Sequence, residues 1–273
     1  MDNGFLETEK NGLVFYTIPS FTATGLVTHG FTTRNGGCSE FPYASLNTAL
    51  HVGDLDDRVL ANRTKACRAL GMNPADLVTC QQVHGDAVHI VTETDTGRGA
   101  VEFAAAIPDT DALATNVAGI PIACCYADCA PIFLLDPVKR VVAVAHAGWK
   151  GTAAKIGLKT VRKMTEQYDT IPSDCLAGIG PSIGPCCYEV DESVAENFRE
   201  GFSETNVLTQ ALQPGKWRLD VRQANLAALL EAGLRIENIS LAGICTSCKN
   251  DEFFSYRAEN EVTGRMSSLI MLK

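Results

Sequence analysis

No uninterrupted apolar stretch in this 273-residue chain approaches the ~18 residues that a membrane-spanning helix requires, so no membrane partner is expected. Runs of lysine and arginine are also missing, and the net charge is -9. Such a chain is a poor match for nucleic acid or an anionic membrane surface, and neither is expected as a partner. The opening residues Met1 to Glu7 are acidic and lack a basic region followed by an apolar run, so no secretory leader is expected. There is no Pro- or Ser-rich linker, composition break or short repeat, which points to one domain over residues 1–273.

Apolar residues and cysteines are plentiful instead. Hydrophobic side chains make up 46% of the sequence, enough for a well-buried core. The cysteine total is eleven, an odd number, and two pairs are adjacent (Cys124-Cys125 and Cys186-Cys187), which is unlike an extracellular disulfide framework. Reduced thiols in a cytoplasmic protein are the expectation, most of them acting as small buried hydrophobes.

Periodicity gives a coarse plan. Leu13 to Thr33 reads as strand material, broken by the Gly-rich loop Arg34 to Ser39. Asp56 to Leu70 reads as a helix stopped by Gly71. Leu77 to Thr92 alternates and reads as a strand interrupted near His84-Gly85. Ile120 to Tyr126, Pro131 to Asp136 and Val141 to Ala145 are short apolar runs expected as central strands. A Gly turn over Gly148 to Gly151 leads to a helix from Thr152 to Tyr168, and Leu176 to Gly180 is a short strand. Asp220 is expected to cap a helix running to Ala232, closed by Gly233, with final strands at Ile239 to Cys245 and Ser267 to Leu272. Without a regular βαβ rhythm, the expected fold class is mixed α/β, with mixed β-sheets flanked by helices.

Three segments carry chemistry: Gln81-Gln82-Val83-His84-Gly85, Ala127-Asp128-Cys129-Ala130-Pro131, and Ala145-His146-Ala147-Gly148-Trp149-Lys150-Gly151. His84, Cys129 and His146 each stand where a strand gives way to a loop, a position from which a rigid element aims a side chain at open space. Two imidazoles and a thiolate suit zinc, and three ligands with a fourth position open would make a catalytic site. The plainer alternative is two hydrogen-bonded core histidines and a packed thiol, and the wide spacing is no zinc-finger signature. His29, His51 and His89 are read as structural or supporting residues. Cys245-Thr246-Ser247-Cys248 has the spacing of a redox pair or of half a zinc site, but a pair of plain thiols with neither role is the main expectation. A full site needs a second close pair, and the adjacent Cys186-Cys187 offers poor geometry for two ligands to one ion.

These segments, together with Gly178 to Gly184, Phe254-Ser255-Tyr256-Arg257, and Phe31 to Gly37 with Ser45-Leu46-Asn47, resemble the laccase-domain proteins. That family is also called the purine nucleoside phosphorylase or polyphenol oxidase family, and it includes the peptidoglycan-editing factor. The resemblance runs from about residue 25 to the C-terminus. It implies a zinc site of His84, Cys129 and His146, a one-domain α/β fold, and phosphorolysis of adenosine, inosine and methylthioadenosine, with adenosine deamination as a side activity. Purine nucleoside and phosphate are the partners so implied; the oligomeric state carries no signal in the sequence.

Phosphorolysis needs a cationic cradle for phosphate, a way to carry charge onto the departing base, and exclusion of water. Arg34 and Arg257 are candidates for the phosphate or ribose side, since a guanidinium presents paired donors. Asp128 is a candidate for supporting a ligand histidine or for general-acid catalysis, with Asp111 as a further acid/base candidate. Gln82 and Asn47 are candidates for substrate contact. One rival is a hydrolase editing cell-wall precursors, with Cys129 and His146 as nucleophile and base. A copper polyphenol oxidase is another, but a trinuclear copper centre needs many histidines in His-x-His pairs. Five histidines and no such pair make copper the less favoured metal.

Overall fold

At the centre of the protein is a hairpin of two seven-residue strands, Ala130–Asp136 and Val141–Ala147, in which every residue is buried. Their continuous apolar character follows from burial on both faces. Asp136 closes the turn by accepting backbone N–H bonds from Val138 and Lys139 at 2.9 Å each. The coordinates are a computed structural model that describes residues 4–202, 207–210 and 213–273. Met1 to Asn3, part of the opening segment read above for a leader, lie outside them.

The hairpin is the middle of a six-stranded mixed sheet in the order Ile239–Leu241, Leu176–Ile179, Ala130–Asp136, Val141–Ala147, Ala112–Thr115, Val88–Ile90. One face, carrying Ile132, Leu134, Ala143 and Ala145, packs on the helices Ile156–Tyr168 and Val221–Glu231 through Ile156, Val161, Met164, Ala228 and Leu229. The other face, carrying Phe133, Leu135, Val142 and Val144, packs on Phe31, Ile122, Tyr126 and Ile270. Those residues belong to an antiparallel five-stranded sheet, Leu6–Lys10, Leu13–Thr17, Val27–Thr32, Met266–Leu272 and Ile122–Tyr126. A small three-stranded sheet, Glu189–Asp191, Lys216–Leu219 and Leu208–Gln210, flanks them. The fold is therefore mixed α/β with helices beside the sheets, as the irregular element order suggests. Among the described residues no helix is long and apolar enough to cross a membrane.

Helix Asp56–Ala69 ends at Gly71 in the left-handed region, and the Asp220 carboxylate accepts from the N–H groups of Arg222 and Gln223 at the start of Val221–Glu231, both as expected. Four expectations need correction. The strand expected over Ile239 to Cys245 ends at Leu241, and Cys245 makes only an isolated bridge with Ser182. The Leu13 to Thr33 segment is two strands separated by the short helix Pro19–Thr24, which Pro19 opens and Gly25 closes. Within Leu77 to Thr92 only Val88–Ile90 is a strand; Val78 and Cys80 make isolated bridges, and residues 81–87 form a loop. The helix expected from Thr152 begins directly at Trp149, where the carbonyl of Gly148 accepts the Thr152 N–H. It breaks at Lys155, whose φ of 58° is left-handed, so Trp149–Ala153 and Ile156–Tyr168 are separate helices.

Phe133 bridges the two sheets and is fully buried. Its replacement by Ala is expected to destabilise the fold by about 3–5 kcal/mol, read as a lowered midpoint in chemical denaturation.

Candidate metal centre and its pocket

The hairpin register pairs Pro131 with His146, which places Cys129, two residues earlier, at the same end of the sheet. His84 arrives from the 81–87 loop. The ligand atoms of His84, Cys129 and His146 all lie within 4.8 Å of one another. The two imidazole rings meet edge to face, with centroids 4.8 Å apart. The triad reaches solvent unevenly, with His146 buried, Cys129 half-buried and His84 exposed.

One buried carboxylate assembles this group. Asp111 is fully buried, and its oxygens accept the backbone N–H groups of Val83 at 3.2 Å, His84 at 3.1 Å and Gly85 at 2.7 Å. Successive N–H groups converge on an anion in this way when one residue adopts the left-handed conformation, here His84 at φ 59°. The same carboxylate lies 2.8 Å from Nδ1 of His146. Acceptance by Asp111 keeps the proton on Nδ1 and leaves Nε2 as the free ring nitrogen, the arrangement that orients a metal-binding histidine. Burial pushes the Asp111 carboxyl up, but the hydrogen bond and charge of His146 with the loop N–H groups outweigh it and hold it below the usual carboxylate range.

Gly148 makes room for the triad. A Cβ at that position would lie 2.9 Å from Cδ2 of His84 and 3.2 Å from Sγ of Cys129. At Gly151 a Cβ would meet the carbonyl oxygen of Gly85 at 2.7 Å, so the His84-Gly85 loop sits against the start of the following helix only because Gly is there.

Burial raises the thiol of Cys129, but the charge of His146 and hydrogen bonds from both histidines outweigh it and bring it down to about 6. His146 moves the opposite way: burial lowers it, while the Cys129 thiolate and the Asp111 hydrogen bond raise it to about 10. Without an ion the pair is thus a thiolate beside an imidazolium. The donor set of one thiolate and two imidazoles, gathered within reach of one cation and lacking any hard carboxylate ligand, fits a zinc-class ion rather than calcium or magnesium.

The triad lies in the wall of a cavity of about 760 Å³, within the range of small-molecule sites. Asp128, Gln82 and Arg257 also line it. Gln82 is locked by a pair of hydrogen bonds to the backbone of Cys125, at 2.7 and 2.8 Å. Asp128 does not bond either histidine; Asp111 takes that role. Instead Asp128 accepts from Thr246 Oγ1 at 2.6 Å, Ser255 Oγ at 3.0 Å and the Arg257 N–H at 2.7 Å. Burial pushes its carboxyl above the ordinary range against those three donors. Arg257 donates to the carbonyls of Cys187 and Glu189 and stacks over Tyr188.

Three expected site residues are not in the cavity wall. Arg34 pairs with Glu259 at 2.9 Å, donates to the carbonyls of Ala44 and Asn250, and lies over the Phe254 ring. Asn47 is fully buried, donating to Asp54 and accepting the Arg265 N–H. Asp111 is sealed beneath the triad. Both Arg34 and Asn47 brace the chain around the pocket, a role their polarity alone does not distinguish from ligand binding.

His51, read as structural or supporting, lines the cavity, as does Tyr256 of the Phe254 to Arg257 segment; Tyr188 and Arg265 line it without having been singled out. Arg265 stands alone between Gly264 and the last strand, with no motif of its own, and its guanidinium donates to the carbonyls of Thr263 and Gly264. His29 and His89 are structural, as read: the Nε2 of His29 accepts the Ile18 N–H at 2.7 Å, and His89 pairs with Asp95. A second group, Cys186, Cys187, Cys245 and Cys248, has its four sulfurs within 4.8 Å of one another, so the adjacency of Cys186 and Cys187 does not keep them apart from the Cys-x-x-Cys pair.

Residues 28–273 match the family described as multi-copper polyphenol oxidoreductase laccase. The chain is similar to the purine nucleoside phosphorylase YlmD of Bacillus subtilis, 41% identical over 244 residues, covering 89% of this chain and 88% of the relative. It is also similar to adenosine deaminase RL5, from an unknown prokaryotic organism, at 36% identity over 86% of this chain and 89% of that one. The crystal structure of YlmD from Geobacillus stearothermophilus superposes with a TM-score of 0.93 at 38% identity, each chain covered fully.

Two outcomes test the site. Between pH 6 and 10 the ion-free pair holds one proton that a bound cation must displace, so zinc affinity should rise about tenfold per pH unit in that window. Below about 6 the thiolate is also protonated and the dependence should steepen; competition titration with a chelator at several pH values reads this. Asp111→Asn replaces an acceptor oxygen by a donor amide beneath the triad and should weaken zinc binding about 10–100-fold in the same titration. Unchanged affinity would show that Asp111 does not position the ligands.

Proposed function

Because this chain belongs to the multi-copper polyphenol oxidoreductase laccase family, we propose that it is a metal-dependent purine nucleoside phosphorylase acting on adenosine, inosine and methylthioadenosine, with adenosine deamination as a side activity. The observation that carries this reading is one cavity, large enough for a nucleoside, that brings a two-histidine, one-thiolate metal group together with two arginines. The names of the relatives support the same chemistry.

In phosphorolysis a phosphate oxygen forms a bond to the anomeric carbon while the carbon–nitrogen bond to the purine breaks and its electron pair, then a proton, goes to the base. Arg257 and Arg265 are the proposed phosphate cradle. Both guanidiniums are held by neutral carbonyls, so their charge is left for an anion. Arg265 takes the place that sequence reading gave to Arg34. Tyr188 and Tyr256 are proposed to flank the base, offering flat apolar faces in the cavity. Gln82 orients a polar edge of the substrate. Asp128, whose buried carboxyl holds a proton more readily than an exposed one, is the proposed donor to the departing purine. An ion held by His84, Cys129 and His146, proposed to be zinc, would supply a Lewis acid for an oxygen of phosphate or for the water of the deaminase reaction.

The thiolate–imidazolium pair of Cys129 and His146 favours one second reading, a thiol hydrolase acting on cell-wall precursors. Copper oxidation of phenols has only the family's label in support.

Zinc-loaded protein, incubated with adenosine and inosine with and without phosphate, should release adenine and hypoxanthine only when phosphate is present. Alanine at His84, Cys129 and His146 together should remove both the ion held by that group and base release. Phosphate-independent release, or a triple variant that has lost the ion of this group and stays fully active, refutes the proposal. Activity of metal-free protein that an alkylating agent abolishes would support the thiol hydrolase instead.

A further inference from the structure

We propose that Cys186, Cys187, Cys245 and Cys248 form a second metal site, a structural tetrathiolate centre for a zinc-class divalent cation, separate from the His84, Cys129 and His146 group. All four sulfurs lie within 4.8 Å of one another, and Cys248 Sγ stands 3.5 Å from Cys186 Sγ and 3.4 Å from Cys187 Sγ. Zinc–sulfur bonds of ~2.3 Å in a tetrahedron put the sulfurs roughly 3.8 Å apart, so the four already stand near the corners that an ion requires. A disulfide singles out one partner. Here Cys248 is almost equidistant from two thiols, an arrangement that a shared ion uses and a single S–S bond does not.

The backbone explains how adjacent cysteines serve one ion. In a strand the side chains of Cys186 and Cys187 would point to opposite faces. They lie instead in a turn, where the carbonyl of Gly184 accepts the N–H groups of both Cys187 and Tyr188 at 3.0 Å, and both sulfurs reach Cys248. Gly184 also donates its own N–H to Cys245 Sγ at 3.2 Å, a bond that favours thiolate at that position. A Cβ on Gly184 would sit 3.3 Å from both Cys186 Sγ and Cys245 Cβ, a tight contact that glycine avoids where the two loops meet. Cys186 and Cys248 are exposed, which gives an ion a path in.

An ion here would staple the loop that gives Ile183 and Tyr188 to the cavity wall to the loop of Cys245 and Cys248 behind it. Ile183 donates its N–H to the Asp128 carbonyl at 2.8 Å, Thr246 donates its hydroxyl to the Asp128 carboxylate, and Arg257 donates to the carbonyl of Cys187 at 3.1 Å. Each cysteine loop therefore touches a residue of the cavity wall, and crosslinking the loops fixes that wall. The inference does not depend on what the cavity binds, because its test reads metal.

Elemental analysis of protein prepared with zinc and dialysed free of excess should show one ion per chain fewer in Cys248→Ser and in Cys245→Ser than in the unaltered protein, with a lowered melting temperature. His84→Ala should retain that ion. Should the serine variants fail to fold, cobalt titration of Cys129→Ser, which removes the only thiolate of the other site, replaces them. An intense thiolate-to-cobalt charge-transfer band with the visible bands of tetrahedral cobalt supports the centre. Equal zinc content in Cys248→Ser and the unaltered protein overturns the proposal. So does the absence of those cobalt bands from Cys129→Ser, or a freshly purified protein in which two of these cysteines are joined in a disulfide and no ion is held.

Discussion

The candidate site depends on one buried carboxylate. Asp111 is out of reach of solvent, yet it accepts three backbone N–H groups from the 83–85 loop and the Nδ1 proton of His146. A charge so placed is tolerated only because every donor is aimed at it, and the donors are equally held by it. It joins two histidines sixty-two residues apart in the chain. His84 gains a fixed backbone in an uncommon conformation, and His146 gains a fixed tautomer.

Around that carboxylate the sheet supplies rigidity. Ala112–Thr115, which follows Asp111 directly, pairs with Val141–Ala147, whose penultimate residue is His146, and the hairpin partner begins immediately after Cys129. The three polar groups thus stand at one end of strands whose remaining residues are packed between helices and a second sheet. Hydrophobic burial on both faces fixes the strands, and the strands fix the distances between imidazole and thiolate. The glycines at 148 and 151 are the steric counterpart, removing side chains where the loop and the helix start must nearly touch.

Legibility in the sequence varied with the range of the interaction. The central strands were visible as apolar runs because burial on two faces leaves a local record, and Asp220 and Gly71 marked helix ends through short-range capping and turn chemistry. His84, Cys129 and His146 were visible because each interrupts a strand signal. Asp111, Arg34 and Asn47 were misplaced for a common reason. A polar side chain that braces a fold and one that meets a ligand have the same composition, and only the direction of the side chain separates them. Arg265, His51 and Tyr188 had no local signal, since they become cavity residues through the return of distant segments. The helix expected at Thr152 began early because Gly148 accepts the first turn, and the Leu13 to Thr33 run hid a short helix behind Pro19.

Amino-acid order alone determined the burial pattern, the ends of the better helices and the three chemically distinctive segments, because each rests on contacts between residues a few positions apart. Only the tertiary structure decided which polar groups share a centre. Pairing of strands brought Cys129 beside His146, Asp111 drew His84 to them, and a turn at Gly184 turned two neighbouring cysteines toward the same point as Cys245 and Cys248. Those juxtapositions are set by the packing of surfaces far apart in the chain, and no local pattern of residue types encodes the meeting.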